Sequence, residues 1–108
     1  MSRRGARRAR VKPVLGFRNT AVTATGTTPP TVTLTGSPAS GYSFNIQITT
    51  GGSVGTAVFK WSSNGGLTFT TGVATAATVL LGITGVTANF AAGTYATDNV
   101  YVAGALQL

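Results

Sequence analysis

The sequence predicts an all-β fold, a small antiparallel β-sandwich or barrel of about seven short strands with an extended basic N-terminal arm. The first observation behind this prediction is composition: 20 of the 108 residues are Thr, and Thr with Val, Tyr and Phe favours strands. The second is that the 15 Gly residues cluster with Asn, Ser and Pro between apolar segments, which indicates tight turns. The third is the spacing of those turns, about 8 to 12 residues, which is typical of sandwiches and small barrels.

Composition also divides the chain into three parts. Residues 1–18 form a basic arm, residues 19–30 a Thr/Pro-rich connector, and residues 31–108 a single β domain. The connector ends in Pro29-Pro30, which excludes a central strand there and favours an extended segment. The arm carries all of the net charge of +7, because the rest of the chain holds one basic and one acidic residue. Its basic residues are Arg3, Arg4, Arg7, Arg8, Arg10, Lys12 and Arg18.

The β domain opens with a short strand predicted over residues 31–35 and a turn over residues 36–41. The clearest alternation in the chain follows over residues 42–49. Every second side chain in this strand is apolar and the others are polar, so we expect one buried and one solvent-facing side. The apolar side consists of Tyr42, Phe44, Ile46 and Ile48.

The next strand is predicted over residues 55–62, where Phe59 and Trp61 share the apolar face and Trp61 is the expected core anchor. It leads into a tight hairpin, beyond which the apolar alternation resumes at Leu67 and Phe69. The left-handed conformations of the hairpin turn come from Asn64, Gly65 and Gly66.

Three further segments complete the domain. Residues 72–81 are expected to be extended, residues 83–90 form a strand with three apolar residues in phase, and residues 98–103 form the last strand. The predicted core anchors of the whole domain are Tyr42, Phe44, Ile46, Phe59, Trp61, Phe69 and Phe90.

The inventory of reactive side chains argues against an enzyme. The chain has one acidic residue and neither His nor Cys, so the usual catalytic groups and metal ligands are scarce. Lys60 and Ser62 share a strand face, but no oxyanion site or third catalytic group accompanies them, so we expect a solvated face. Asp98 alone cannot build a calcium or magnesium site, and we expect it to cap a turn. The sequence therefore predicts no catalytic residue, metal, cofactor or small-molecule substrate.

No membrane or export segment is expected either. Residues 11–17 are too short and too interrupted for the apolar region of a signal peptide. The most apolar stretch, residues 76–86, contains Thr and Gly and falls short of the ~18 continuous apolar residues of a spanning helix.

The near absence of charge from the β domain points to protein neighbours. About a quarter to a third of a typical soluble surface is charged, and a surface near zero net charge promotes association. We therefore expect contacts with other protein and with copies of the same chain, in the form of a trimer at a local three-fold axis. The arm suits an acidic protein or nucleic acid. Multivalent docking of the arm favours protein. The arm has no aromatic residue before Phe17 and so lacks the stacking residues of single-strand binders, which weakens base-directed binding but not neutralisation of phosphates.

A series of short sequence segments in residues 42–101 of the β domain forms a characteristic pattern. It consists of the segments 42–46 (YSFNI), 55–62 (GTAVFKWS), 64–69 (NGGLTF), 85–90 (GVTANF) and 93–95 (GTY), with Asp98 and Tyr101. The pattern resembles that of structural proteins in tailed-phage virions, in which a strand ending in Ser leads to an Asp-Gly-Gly hairpin. Here Asn64 stands in place of that Asp, which still favours the turn.

The resemblance implies a non-enzymatic virion structural protein, most specifically a capsid decoration or cement protein. Such a protein stabilises the head by bridging coat subunits, here with the β domain and the Arg-rich arm. Its partners are then the major capsid protein and copies of itself, and it is made in the host cytoplasm and located in the virion capsid. Two alternatives stay open: a tail, baseplate or head–tail connector protein, and a genome-facing coat protein whose arm binds nucleic acid.

Overall fold

Every regular element in residues 17–107, the part of the chain that the computed structural model describes, is a β-strand. In chain order the strands are β1 (Phe17–Asn19), β2 (Thr23–Thr25), β3 (Val32–Gly36), β4 (Ser43–Thr50), β5 (Gly52–Ser53), β6 (Val58–Ser62), β7 (Thr70–Ala74), β8 (Thr78–Leu80), β9 (Val86–Phe90), β10 (Thr94–Tyr95) and β11 (Val100–Gln107). All pairings between these strands are antiparallel. The predicted antiparallel all-β fold is therefore confirmed, with additional strands of only two or three residues.

The larger sheet has six strands in the order β1-β11-β4-β6-β7, and β2 also pairs with β11. Its inner face follows from the alternation in β4, where Phe44, Ile46 and Ile48 are buried and the residues between them are only half-buried. Tyr101 of β11 lies on the same face because it pairs with Ile46. The alternation predicted for this strand is confirmed.

A smaller sheet, in the order β3-β9-β8, covers this inner face. Val86, Ala88 and Phe90 point inward from β9, and Val32 pairs with Phe90 from β3. These residues form one hydrophobic cluster with the buried residues of β4, so the two sheets are the layers of a β-sandwich. The short strands β5 and β10 form a separate two-stranded ladder.

A row of aromatic rings runs through the core. The ring centroids of Phe59 and Phe90 lie 4.9 Å apart, those of Phe90 and Tyr95 5.8 Å, and those of Tyr95 and Tyr101 6.5 Å. The planes are tilted or edge-on, which is the arrangement that aromatic quadrupoles favour. Because all four side chains are buried, this row ties the larger sheet to the smaller one.

The loops gather at the two ends of the sandwich. The arm-side end is where the chain enters β1, and it contains the loops 37–42, 63–69 and 81–85. The Asp98 end lies at the other ends of the strands and contains Asp98 and the loops 26–31, 54–57, 75–77, 91–93 and 96–99.

The structure shifts the boundary between the arm and the domain. Residues 17–19, with Arg18 among them, form β1, although Arg18 was expected in the arm. The connector supplies β2 at the edge of the larger sheet, in keeping with the prediction that no central strand forms there. Between the two short strands, Thr20 donates from its amide to the carbonyl of Gly104 at 2.9 Å, and its Oγ1 accepts from the Gly104 amide at 2.7 Å. Residues 1–16, the remainder of the predicted arm, lie outside the described residues.

Three local expectations are corrected. The strands β6 and β7 form a hairpin, but loop 63–69 joins them in place of a tight turn, so Leu67 and Phe69 are loop residues. The strand predicted over residues 83–90 begins only at Val86, which leaves Ile83 in a loop. The strand predicted over residues 55–62 begins only at Val58, because a turn at residues 54–56 precedes it. Within residues 17–107, no helix is long and apolar enough to span a membrane.

Candidate docking surface at the arm-side end

The basic segment joins the β domain at the arm-side end. Phe17 opens β1, and its Cε2 atom lies 3.5 Å from the position that a Cβ on Gly41 would occupy. The start of β1 therefore packs against loop 37–42. Because residues 1–16 precede Phe17 in the chain, most of the basic residues are tethered to this end. They are Arg3, Arg4, Arg7, Arg8, Arg10 and Lys12, which lie outside the described residues.

The same end carries the two most exposed large apolar side chains of the described residues. Ile83, in loop 81–85, is 95% exposed, and Leu67, in loop 63–69, is 84% exposed. A single exposed apolar side chain is common on protein surfaces, whereas a group of them marks an interaction site. Leu80, the last residue of β8, adds a third exposed side chain next to loop 81–85.

The loop that carries Ile83 is fixed by hydrogen bonds. The Leu81 amide donates to the Val86 carbonyl at 2.9 Å, and the Thr84 amide and hydroxyl donate to the Leu81 carbonyl at 3.2 and 2.7 Å. The Ala39 amide donates to the Thr84 carbonyl at 2.9 Å and so joins the neighbouring loop to this one. Ile83 is therefore held at the tip of an ordered turn.

The loop that carries Leu67 is organised by the side chain of Asn64. Its Oδ1 accepts from the Ser62 hydroxyl at 2.6 Å and from the Thr68 amide at 3.1 Å, and its Nδ2 donates to the Thr68 hydroxyl at 2.8 Å. The two glycines that follow Asn64 have φ angles of +75° and +96°, which other residues adopt only with strain. The predicted turn residues thus shape this loop, although not as a tight hairpin.

Two predicted core anchors lie away from the centre of the core. Trp61 is half-buried at the margin of the hydrophobic cluster, and Gly82 packs so close to its ring that a Cβ there would lie 3.2 Å from the Cη2 atom. Phe69 lies outside the cluster because it belongs to loop 63–69, and the Lys60 Nζ atom is 4.5 Å from its ring centroid. The other predicted anchors belong to the cluster, with Tyr42 half-buried and the rest buried: Phe44, Ile46, Phe59 and Phe90.

Charged side chains are scarce on the described part of the domain, which holds only Arg18, Lys60 and Asp98. The outer face of the larger sheet pairs Gln47 with Lys60 and carries Asn45, whose pairing partner Ser62 is buried. The outer face of the smaller sheet is built from uncharged residues, mainly Thr and Asn, along β3, β8 and β9. These faces offer hydroxyls and amides but almost no charge to a neighbour.

At the Asp98 end, the only acidic side chain of the chain fastens loop 26–31 to the turn before β11. Both carboxylate oxygens of Asp98 accept from the Thr27 amide at 3.1 Å, and Oδ2 also accepts from the Thr27 hydroxyl at 2.7 Å. These bonds lower the pKa of Asp98 below its ordinary value, and the bond from the Thr27 hydroxyl has the largest effect. Thr27 lies 71 positions away, so Asp98 bonds the backbone of a loop that is distant in sequence. Asn99 caps the turn before β11, because its Oδ1 accepts from the Ala96 amide at 2.8 Å.

Buried polar groups reinforce this end. The Tyr101 hydroxyl donates to the Pro30 carbonyl at 2.7 Å, and burial together with the nearby Tyr95 raises the pKa of Tyr101. The buried Thr75 hydroxyl donates to the Ala57 carbonyl at 2.8 Å and accepts from the Gly55 amide at 3.0 Å. The Asp98 end is thus closed by hydrogen bonds between loops that are distant in sequence.

The Ser62 hydroxyl is used within loop 63–69 and not by Lys60. It donates to Asn64 Oδ1 and accepts from the amides of Asn64 and Gly66 at 3.2 and 2.9 Å. In the part of the chain that the structure describes, no group of three or more His, Cys, Asp or Glu side chains is placed to hold a metal ion.

The apolar alternation beyond the hairpin predicts a strand at Leu67, whereas Ile83 falls within the bounds of the strand predicted over residues 83–90 although it is out of phase with its apolar residues. A signal for a loop was present at Ile83, since Gly82 and Gly85 flank it and glycine spacing of this kind favours a turn. Asn99 gave no such signal, because one of its partners, the Thr27 carbonyl, lies 72 positions away.

No protein-family model matches the chain, and searches of curated proteins and of solved structures found no match either.

Proposed function

We propose that this chain is a non-enzymatic structural protein of a tailed-phage virion, specifically a decoration (cement) protein of the capsid. The observation that carries the proposal is the uneven distribution of charge. A β-sandwich with three charged side chains among its described residues is joined, at its most apolar end, to a segment with six basic residues. This combination suits a module that sits among other proteins and is tied to them by the segment.

The resemblance of residues 42–101 to virion structural proteins supports the same proposal. Several of the residues that carry it build the arm-side end: Asn64 and the glycines after it shape loop 63–69, and Gly85 ends loop 81–85. Part of the pattern therefore lies at the arm-side end, which carries the exposed Ile83 and Leu67.

The proposed mechanism joins many weak contacts into a strong one. An exposed ion pair contributes about 0–1 kcal/mol, so no single Arg of the segment would hold the domain on a shell. Six tethered basic residues and a docked domain act together, because the first contact raises the effective concentration of the others. Arg suits this role since its guanidinium binds carboxylates with two parallel hydrogen bonds. Shell symmetry then repeats the gain at every site.

A second candidate is a genome-facing coat protein. The observation that favours it is the Arg cluster itself, because clustered Arg on a terminal segment is also typical of phosphate binding. Against it, the exposed Ile83 and Leu67 at the same end have no counterpart on a nucleic-acid backbone. A tail, baseplate or connector protein remains the alternative within the virion.

The decisive experiment compares two full-length proteins on shells purified from particles that lack this protein. One is the unchanged chain, and the other has its six N-terminal basic residues replaced by Gln. We expect the unchanged chain to saturate the shells and the neutralised chain to bind at least about tenfold more weakly at physiological salt. An Arg18→Gln variant is the control, because Arg18 is held in β1.

Copy number and a DNA titration separate the alternatives. A decoration protein is expected at a copy number that follows shell symmetry, on the order of hundreds per particle, whereas a tail or connector protein is present in far fewer copies. Binding to duplex DNA that falls steeply with salt, without binding to shells, would support the genome-facing candidate and overturn the proposal.

A further inference from the structure

We propose that Ile83 and Leu67 are apolar anchors that enter recesses of the coat-protein surface. Acidic residues of the coat protein, which bind the basic segment, border these recesses. The inference rests on the proposed function and names the chemistry of the partner surface: two small apolar recesses bordered by carboxylates. The two tips then supply the apolar part of a docking face, and the basic residues of the segment joined to this end supply its positive charge.

The exposure of the two side chains is the first support. At 95% and 84% exposed, Ile83 and Leu67 bury almost nothing within the chain, so their apolar surface contributes little to its own core. A partner that buries them gains the hydrophobic free energy that the fold leaves unused. Buried aliphatic anchors surrounded by polar contacts are a common arrangement in protein interfaces.

The second support is that both tips are preorganised. Hydrogen bonds of the Thr84 amide and hydroxyl to Leu81 close the loop around Ile83. Both polar atoms of the Asn64 side chain hold the loop around Leu67. A partner therefore has little loop entropy to remove on binding, which is the cost that most often weakens contacts made by loops.

The third support is the surrounding polarity. Thr84 and Asn64 use their side chains inside their own loops, and no acidic side chain lies at this end, since Asp98 is at the other. Nothing on the domain itself therefore competes for the basic segment. A complementary surface has to supply all of the negative charge, and the tips select one that supplies apolar recesses as well.

An anionic bilayer offers the same two chemistries and is the competing occupant. The coat surface is favoured because the outer face of the smaller sheet is uncharged along β3, β8 and β9. A protein that rests on a membrane keeps this face in water, whereas a decoration protein packs it against a neighbour.

The test uses the full chain with Leu67→Ser and Ile83→Ser together, and Val102→Thr as the matched control. Val102 is 44% exposed on the outer face of β11, so the control also removes exposed apolar surface, but away from the arm-side end. We expect the double variant to bind shells that lack this protein roughly tenfold or more weakly, and the control to bind within about twofold of the unchanged chain. The conservative pair Leu67→Met and Ile83→Val should restore most of the affinity.

The salt dependence separates the two parts of the docking face. Neutralising the basic segment should remove most of the salt dependence, whereas the double Ser variant should lower affinity by a similar factor at low and high salt. If the unchanged chain binds shells and the double variant binds as tightly as the Val102→Thr control, the inference is wrong and the proposed function stands. If the unchanged chain fails to bind shells, both are wrong.

Two parallel probes test the competing occupants. They are vesicles of phosphatidylcholine with about a third phosphatidylglycerol, and linear duplex DNA, both at physiological salt. Tighter binding to vesicles than to shells, with loss in the double Ser variant, would overturn the coat assignment in favour of a lipid surface. The inference expects the double substitution to leave any binding to either probe unchanged.

Discussion

The two ends of the sandwich use their side chains in opposite ways. At the Asp98 end, polar groups form hydrogen bonds within the chain: Asp98 bonds to Thr27, Tyr101 to Pro30, and Thr75 to Ala57 and Gly55. At the arm-side end the loops are ordered as well, but their tips point apolar side chains into solvent. One end is held together by these hydrogen bonds, whereas the other exposes apolar side chains and is joined to the basic segment.

This contrast places folding stability at one end of a nearly uncharged domain and, in the proposal above, partner binding at the other. The one acidic side chain joins two distant loops, at the end opposite the one where the basic segment joins the domain. Substitutions at the Asp98 end should therefore alter folding stability. Substitutions at the tips of the arm-side end should alter partner binding and leave stability unchanged.

The largest effect on stability is expected from Gly26→Ala. Gly26 has a φ of +104°, and a Cβ there would collide with the carbonyl oxygen of Asp98. We expect a loss of about 2–4 kcal/mol in the free energy of unfolding, from backbone strain together with displacement of the loop. Urea unfolding followed by tryptophan fluorescence measures it.

Gly55→Ala is the matched control for that substitution. Gly55 has a similar φ of +94° with nothing within 4 Å of its Cβ position, so only strain of about 1–2 kcal/mol is expected. Equal losses in the two variants would show that the contact between Gly26 and Asp98 does not restrain the closed end.

A smaller loss is expected from Thr75→Val. The substitution keeps the shape of the side chain but leaves the Gly55 amide and the Ala57 carbonyl without the hydroxyl that bridges them. Loss of the bond from the Gly55 amide and of one of the two bonds to the Ala57 carbonyl, which still accepts from the Thr75 amide, should cost about 1–2 kcal/mol. Thr78→Val, at an exposed position in β8, should stay within about 0.5 kcal/mol of the unchanged protein. A neutral Thr75→Val would contradict the role given to this bridge.

The contribution of Asp98 should depend on pH. Its pKa is lower in the folded protein than in the unfolded chain, so its carboxylate stabilises the fold above the unfolded pKa of about 3.9. This stabilisation is lost as the pH falls through the lowered pKa of the folded state. Unfolding curves of the unchanged protein and of Asp98→Asn should therefore differ at neutral pH and converge near pH 2. A constant difference across this range would exclude the carboxylate as the cause.

The smallest effect on stability is expected at the tips. Leu67→Ser and Ile83→Ser remove side chains that bury almost nothing, so each should change the free energy of unfolding by less than about 0.5 kcal/mol. Thermal unfolding by circular dichroism is the measurement. A loss above 1 kcal/mol in either variant would mean that these residues support the fold.

The sequence was sufficient for the fold class and for most of the core. Alternation in β4 and β9 is a local property, and it correctly placed Phe44, Ile46 and Phe90 inside. It misplaced Phe69, because alternation continues through loops when small apolar and hydroxyl residues are this frequent. A periodic pattern cannot show that Trp61 faces a glycine instead of another side chain.

The hydrogen bonds at the Asp98 end could not be predicted from the sequence, for a different reason. Asp98 and Asn99 bond to Thr27, and Tyr101 to Pro30, across 71 or more positions of the chain. Such pairs depend on how the two sheets stack, which no local pattern encodes. Only the pairing of β1 with β11 shows that the basic segment joins the domain at the end that carries the exposed tips.

The most direct test of the account is a cysteine footprint of the assembled particle. The chain has no cysteine, so Ile83→Cys and Thr97→Cys each place a single thiol, one at the arm-side end and one exposed at the Asp98 end. Both variants should react fully with a maleimide when free, and mass spectrometry of this chain reads the labelling in particles. We predict that only the thiol at position 83 is protected in the particle. Protection at position 97 with full labelling at position 83 would contradict the account.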